Sequence, residues 1–327
     1  MTNTVLVTGG AGYIGSHAVK LLRDRGDSVV VIDNLSYGHK DALPMDVPFY
    51  EGDIADAPLL ATIFKTHRID AVMHFAAFTY VGESMTEPLK YYRNNFAAPL
   101  TLIQATLDSG CRKFIFSSTC ATYGEPDYVP IDELHPQRPI NPYGKSKLML
   151  ETALTDCGRA FGLQSVFLRY FNVAGADPNG CIGEEHNPET HLIPLVIDAA
   201  LGKRESVSVF GTDYDTPDGT CIRDYVHVVD LCDAHLLALD YLNASKPSAA
   251  FNLGTGAGFS VREIINAVKA VSGKPVRVIE TARRPGDPPK LIANSKKAKD
   301  ILGWSPKYDD VRVTVETAWN YHRQRRG

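Results

Sequence analysis

Tyr143 and Lys147 stand four positions apart, directly after the turn-forming pair Asn141-Pro142. Asn suits the position before a helix and Pro its first turn, so the spacing predicts a helix that starts here and carries both side chains on one face. A phenol with an ordinary pKa of about 10 is a poor base at neutral pH. An ammonium beside it favours the phenolate, by about 1.4 kcal/mol for each pKa unit, and yields a general base of useful strength. Thr119 ends the run Phe116-Ser117-Ser118-Thr119, which reads as the end of a parallel strand, where ligands of such sheets bind. Its hydroxyl can hydrogen-bond a substrate oxygen and pass a proton to the phenolate.

A second set handles phosphate. Gly9-x-x-Gly12-x-x-Gly15 lies between the β-branched run Thr4-Val5-Leu6-Val7-Thr8 and a helical pattern through Ile14, Ala18, Leu21 and Leu22 that Gly26 stops. Glycines there permit a tight turn, a close approach to pyrophosphate and close helix–sheet packing, while the helix N-terminus offers free N–H groups and partial positive charge. Asp33 ends the next strand, about 20 residues on, where a carboxylate accepts the adenosine ribose hydroxyls and repels a 2′-phosphate. Asn34-Leu35-Ser36 follow it without Arg or Lys, so NAD is favoured over NADP. The nicotinamide's positive charge then adds to Lys147 in favouring phenolate. Asp53, after Phe49-Tyr50-Glu51-Gly52, reads either as a second strand-end carboxylate meeting the adenine amino group or as a plain turn residue.

These residues need a frame of strand ends. Ser28–Asp33, Ala71–Phe75, Lys113–Ser118 and Ser165–Tyr170 read as buried strands, and helices are predicted over about 56–66, 88–109 and 143–160. Continuous apolar strands alternating with amphipathic helices specify an α/β fold, a Rossmann-type doubly wound parallel sheet. After Asn172 the texture changes. Residues 174–190 are rich in Gly, Pro, Asn and Glu and read as a long functional loop. Helices near 193–201, 229–243, 260–271 and 309–324, with strands near 206–210, 222–227 and 275–280, make a smaller C-terminal α/β substrate-binding domain. The expected division is 1–171 for the dinucleotide and 172–327 mainly for the substrate, with 228–254 able to return to the first.

The chain has 327 residues, 44% hydrophobic and 22% charged, which suits one large domain with an appendage or two domains. A net charge of −4 gives no electrostatic reason to expect nucleic acid or a membrane surface, so an anionic ligand needs local basic groups. The six cysteines form no Cys-x-x-Cys pair, which argues against a zinc site or a disulfide framework and fits a reducing cytoplasm. Asp213, Asp215 and Asp218 lack metal-loop spacing, and no metal is expected. No leader or membrane span is read. His74 reads as a packed core histidine, Cys120 and Cys221 have no evident base, and Arg323, Arg325 and Arg326 read as a solvated tail.

With these pieces together the sequence resembles the extended short-chain dehydrogenase/reductase family, in its branch of NAD-dependent sugar-nucleotide epimerases, over nearly the whole chain. The strings are VTGGAGYIGSH at 7–17, HFAAFTYVGES at 74–84, FSSTCATYGEP at 116–126, NPYGKSK at 141–147, LRYFNVAGA at 168–176, GTDYDTPDGTCIRDYVHVVDL at 211–231 and RRPGD at 283–287. The resemblance implies a 4-epimerase that interconverts UDP-glucose and UDP-galactose through a transient 4-keto sugar in carbohydrate metabolism. It implies Tyr143 as base, Lys147 as its activator and Thr119 as their partner. The cofactor positions are Gly9, Gly12, Tyr13, Ile14 and Gly15; Asp33, Asn34, Leu35 and Ser36; Asp53 and Ile54; Phe75, Ala76 and Ala77; and Asn94 and Phe171, besides the catalytic three. Asn172, His191, Leu192, Ser208 and Phe210 match substrate positions, with Phe210 beside uracil. Arg223 and Arg284 match residues that grip the UDP pyrophosphate with forked donors, and Asp287 one that binds the uridine ribose. Without the resemblance both arginines read as solvated surface charges. Thr79 stands where some members carry Lys. Leu291 stands where a large aromatic goes with UDP-glucose and UDP-galactose and a small residue also admits N-acetyl sugars. SSTCATYGEP and GTCIRDY are also similar to UDP-xylose/UDP-arabinose 4-epimerases. A dehydratase or net dehydrogenase is a further alternative, but dehydratases follow the active-site Thr with Asp-Glu, and here Cys120-Ala121 follow. A homodimer is implied, with helices near 88–109 and 143–160 pairing with their copies.

Overall fold

The structure, a computed structural model, describes residues 2–284 and 287–326. Seven strands form one parallel sheet in the order Ala249–Leu253, Gln164–Tyr170, Lys113–Thr119, Ala71–His74, Thr4–Thr8, Ser28–Asp33, Phe49–Glu51. Side chains alternate across a strand, so each strand feeds two cores. Val5, Val7, Val31 and Leu168 pack on one face with Leu231, Leu239 and Leu242 of the helix Val228–Asn243. Leu6, Val30, Val72 and Phe114 pack on the other with Leu60, Leu102, Leu150 and Leu154. Both faces being covered explains why these strands read as unbroken apolar runs.

Strand order reverses between Thr4–Thr8 and Ala71–His74. That switch point leaves a crevice at the carboxyl ends of the strands, the usual ligand position in such sheets. The segment 228–254 lies with this sheet: its helix packs on the helix Tyr13–Arg25, and Ala249–Leu253 is the seventh strand.

Asn172–Ala174, Ile222–His227, Gly258–Ser260 and Lys290–Leu291 form a smaller mixed sheet, and Val207–Phe210 pairs in parallel with Val278–Thr281. Their own core gathers Ile193, Val196 and Ile197 with Val207, Val209, Ile264, Ile265 and Trp319. Among the buried polar groups, Asp224 is fully buried and accepts N–H groups of Thr255, Gly256 and Ala293 at 2.8–3.0 Å, tying three segments of this unit together. The helix expected over 88–109 is divided into Pro88–Tyr92, a π-helical turn Arg93–Ala97, and Ala98–Asp108.

Candidate active site

The glycine turn closes on three elements at once. Gly9 has φ +70°, and a Cβ there would lie 2.6 Å from the Ala76 backbone nitrogen; a Cβ at Gly15 would lie 2.1 Å from the Gly9 carbonyl oxygen. Only hydrogen fits at either position. Gly12, in extended conformation, caps the helix Tyr13–Arg25, so Gly12, Tyr13, Ile14 and Gly15 bring a helix N-terminus to the wall of a deep cleft.

Asp33 also lines this cleft. Its Oδ2 accepts the Ala11 N–H at 2.9 Å and its Oδ1 the Leu35 N–H at 2.8 Å, which fixes the carboxylate beside the glycine turn. Burial raises its pKa, opposed by those two N–H groups. Asp53 Oδ2 accepts from Asn34 Nδ2 at 3.0 Å, joining the ends of two adjacent strands. The cleft then runs past Ser36, Ile54, Phe75, Ala76, Ala77 and Asn94 to Thr119, Tyr143, Lys147, Phe171 and Asn172. Asn94 sits in the π-helical turn, a departure from α-helix that recurs at functional sites.

The three residues expected to be catalytic stand at the far end. Asn141 caps the helix Pro142–Phe161 by accepting the Gly144 N–H at 2.8 Å, and Pro142 opens the first turn. Tyr143 and Lys147 are both buried. Lys147 Nζ donates to the Ser117 carbonyl at 3.0 Å and lies 4.9 Å from the Phe116 ring centroid, so the ammonium is anchored on the strand that carries Thr119. Burial lowers its pKa to about 7, opposed by Glu151. Burial also pushes the Tyr143 phenol up to about 12, opposed by the Thr119 hydroxyl. The sequence expectation of an acidified phenol is therefore not met by the protein groups alone. Desolvation outweighs them, which leaves that task to the cationic ring expected beside the phenol.

The expected substrate residues divide. Asn172 and His191 line the cleft. Leu192 opens the helix Leu192–Ala200 and packs on the core of the smaller unit. Ser208 and Phe210 sit on Val207–Phe210, where the Arg284 guanidinium lies 3.7 Å from the Phe210 ring centroid. An Arg223 Nη2–Asp287 Oδ1 ion pair forms nearby. Leu291 is in register with Arg223 and packs with Tyr123, Ile131, Phe171 and Ala293, linking this group to the cleft through Phe171. Leu35, Leu192, Ser208, Phe210, Arg223, Arg284, Asp287 and Leu291 are not among the residues that line the cleft. Pro285 and Gly286 of the RRPGD string lie outside the described residues.

Several lining residues escaped sequence reasoning. Tyr37, Phe78, Tyr80, Tyr170, Glu184 and His186 all face the cleft. Tyr37 contacts Phe78 and Tyr80 at centroid distances of 5.6 Å, which gives the cleft an aromatic shoulder. Of the residues set aside, His74 is buried, with Nδ1 2.7 Å from Thr8 Oγ1 and its ring stacked on Phe116. Burial pushes the Cys120 thiol up to about 12, which suits no nucleophile. Arg325 is not free in solvent: it pairs with Asp41 and Glu185 at 3.2 Å. The Arg326 side chain lies outside the described set.

The profile of the NAD dependent epimerase/dehydratase family matches residues 5–254. A UDP-glucose 4-epimerase of Halalkalibacterium halodurans is 55% identical over 320 residues, spanning 98% of this chain and 96% of that protein. The crystal structure of UDP-glucose 4-epimerase from Brucella ovis in complex with NAD superposes with a TM-score of 0.95 at 49% identity, covering 98% of both chains. That of UDP-glucose 4-epimerase from Bifidobacterium longum in complex with NAD+ and UDP gives a TM-score of 0.94 at 38% identity, again covering 98% of both. With a seven-stranded doubly wound sheet, a glycine turn at its switch point and full-length likeness of this order, the chain belongs to the NAD dependent epimerase/dehydratase family, in its UDP-glucose 4-epimerase branch.

Proposed function

We propose that the chain is an NAD-dependent isomerase that interconverts UDP-glucose and UDP-galactose. The observation that carries this reading is one continuous cleft running from the glycine turn to Thr119, Tyr143 and Lys147. The residues fit NAD: Gly9 and Gly15 leave room only for hydrogen, and Asp33 stands where a ribose diol would be received. When bound, NAD supplies a reversible acceptor for the hydride at sugar C4′.

Tyr143 takes the proton from O4′, directly or through Thr119, and later returns it. Lys147 lies on the same helix face and is kept in place by the Ser117 carbonyl. Arg223, Arg284 and Asp287 hold the UDP portion, while Asn172 borders the sugar. Anchorage through UDP leaves the 4-keto sugar free to turn and present its other face. Cys120, beside Thr119, is neither an acid nor a base, which supports epimerisation over elimination.

The division we adopt gives 1–171 with 228–254 to the cofactor and the remainder to the UDP-sugar. We also propose a cytoplasmic homodimer. The exposed apolar residues Leu89, Leu100, Met149 and Phe161 lie on the segments expected to pair, and among the described residues no helix is long and apolar enough to cross a membrane. Incubation of the holoenzyme with UDP-galactose tests the activity. UDP-glucose formed without NADH release is expected; stoichiometric NADH release, or no conversion, overturns the reading.

A further inference from the structure

The loop after the strand Asn172–Ala174 carries the pattern Glu184-x-His186-x-x-Glu189-x-His191. Four atoms of these side chains converge within 4.8 Å of one another. Glu184 Oε1 lies 3.2 Å from His186 Nδ1 and 2.5 Å from His191 Nδ1; His186 Nδ1 lies 3.8 Å from Glu189 Oε2. Donor atoms around a tetrahedral ion with bonds of about 2.0–2.1 Å stand about 3.3 Å apart; the 3.2 and 3.8 Å separations bracket that value, and the 2.5 Å contact would open as an ion entered.

The second observation is their hydrogen bonding. Glu184 Oε1, His186 Nδ1, Glu189 Oε2 and His191 Nδ1 are all buried, and none has a hydrogen-bond partner of acceptable geometry. Buried polar groups without a well-aligned partner are costly in a folded interior, and one shared cation would satisfy all four of these at once. Glu184 is 3% exposed. The other oxygen of Glu189, Oε1, accepts the N–H groups of Thr190 and His191 at 2.7 and 2.9 Å, which aims Oε2 inward as outer-shell bonds aim metal ligands.

We propose that Glu184, His186, Glu189 and His191 form a structural site for a divalent transition cation, zinc foremost. Two imidazoles and two carboxylates are a ligand set zinc accepts, and the carboxylates neutralise its charge. Four protein ligands fill a tetrahedron and leave no position for substrate, so the ion acts by holding the loop. The same loop is held by Tyr13 Oη donating to the Gly175 carbonyl at 2.7 Å and Tyr80 Oη donating to the Pro188 carbonyl at 2.5 Å, and it supplies Glu184, His186 and His191 to the cleft wall. This revises the expectation of no metal and makes the His191 imidazole a ligand rather than a substrate contact. The pattern could have been read in the sequence, but it mixes carboxylates with histidines in a loop and follows no helical spacing.

The competing arrangement is a quartet of imidazolium–carboxylate pairs. The test uses the full chain, free of any affinity tag and exhaustively dialysed. Elemental analysis should find about one zinc per chain. A strong chelator should remove it and lower the melting temperature, with recovery on adding Zn²⁺ but not Mg²⁺. The double substitution His186→Ala, His191→Ala should bind none. Co²⁺ titration of the chelated wild type should break at one equivalent with visible bands of a tetrahedral ion, and this decides the matter if the double variant does not fold. A metal-free chain indifferent to Zn²⁺ and giving no such bands, or unchanged zinc content in a folded double variant, overturns the site.

Discussion

Arg169 grips Glu151 directly behind the strand end that carries Ser118 and Thr119: Nη2 lies 2.6 Å from Oε2 and Nε 3.0 Å from Oε1, with both side chains under 10% exposed. Ser118 Oγ donates to the same carboxylate at 2.5 Å, and Arg169 Nη1 donates to Tyr123 Oη at 3.0 Å. The pair fastens the helix of Tyr143 and Lys147 to the strand Gln164–Tyr170, and the Ser118 hydrogen bond ties the same carboxylate to the strand of Thr119. Glu151→Ala leaves a buried guanidinium unpaired and should cost about 3–5 kcal/mol in denaturant unfolding. Replacing both partners with apolar residues of similar volume should cost far less. Equal losses in the two variants would refute a charge-pair role.

Tyr143→Phe removes the base that takes up the O4′ proton, whether it arrives directly or through Thr119. Turnover of UDP-galactose should fall by about 10²–10⁴. The NAD content of the purified variant should match wild type, because no contact in the glycine turn changes. Near-normal turnover would remove Tyr143 from its assigned role.

Acid should weaken the fold through His235. Its Nδ1 lies 2.9 Å from the Leu231 carbonyl and its Nε2 2.8 Å from Ser117 Oγ, a pattern that a neutral ring satisfies by donating to the carbonyl and accepting from the hydroxyl. Burial lowers its pKa to about 4, opposed by the bond to Leu231. Between that value and the unfolded value of about 6.5, the unfolded chain binds the extra proton, so stability rises with pH and is lost as pH falls through this window. Between pH 7 and 5, wild type should lose about 2 kcal/mol more than His235→Gln. Urea unfolding at the two pH values measures this, and parallel losses would count against it.

Leu291 should set the breadth of substrate use. It is half-buried between Phe171 and Ala293, in register with Arg223, where a larger ring would fill space beside the cleft. Leu291→Tyr should lower kcat/KM for UDP-N-acetylglucosamine relative to UDP-glucose by about tenfold or more, the range a pocket achieves by steric exclusion. An unchanged ratio would place the gate elsewhere.

The five inner strands of the main sheet were legible because they are buried, largely apolar runs, whereas the edge strands Phe49–Glu51 and Ala249–Leu253 carry no such signal. The glycine turn was legible for a different reason: steric exclusion at Gly9 and Gly15 leaves no other residue possible. Asn172–Ala174, Gly258–Ser260 and Lys290–Leu291 were not legible, since two or three residues carry no periodicity and their pairing is decided by tertiary contact. The Glu151–Arg169 pair joins a helix to a strand, and neither residue's neighbours announce the other. Arg223 and Asp287 became visible through resemblance alone, because a long-range ion pair leaves no local pattern.

The strand Ala249–Leu253 has a consequence for how the molecule must be made. It is contributed by residues that follow the first part of the smaller unit in sequence, yet it pairs residue for residue with Val166–Tyr170. A polypeptide stopped at residue 171 would end with Gln164–Tyr170 as a raw margin, its backbone donors and acceptors open to any extended segment nearby. The cofactor half is therefore not a portable module. It is completed only when synthesis has passed through its neighbour and come back.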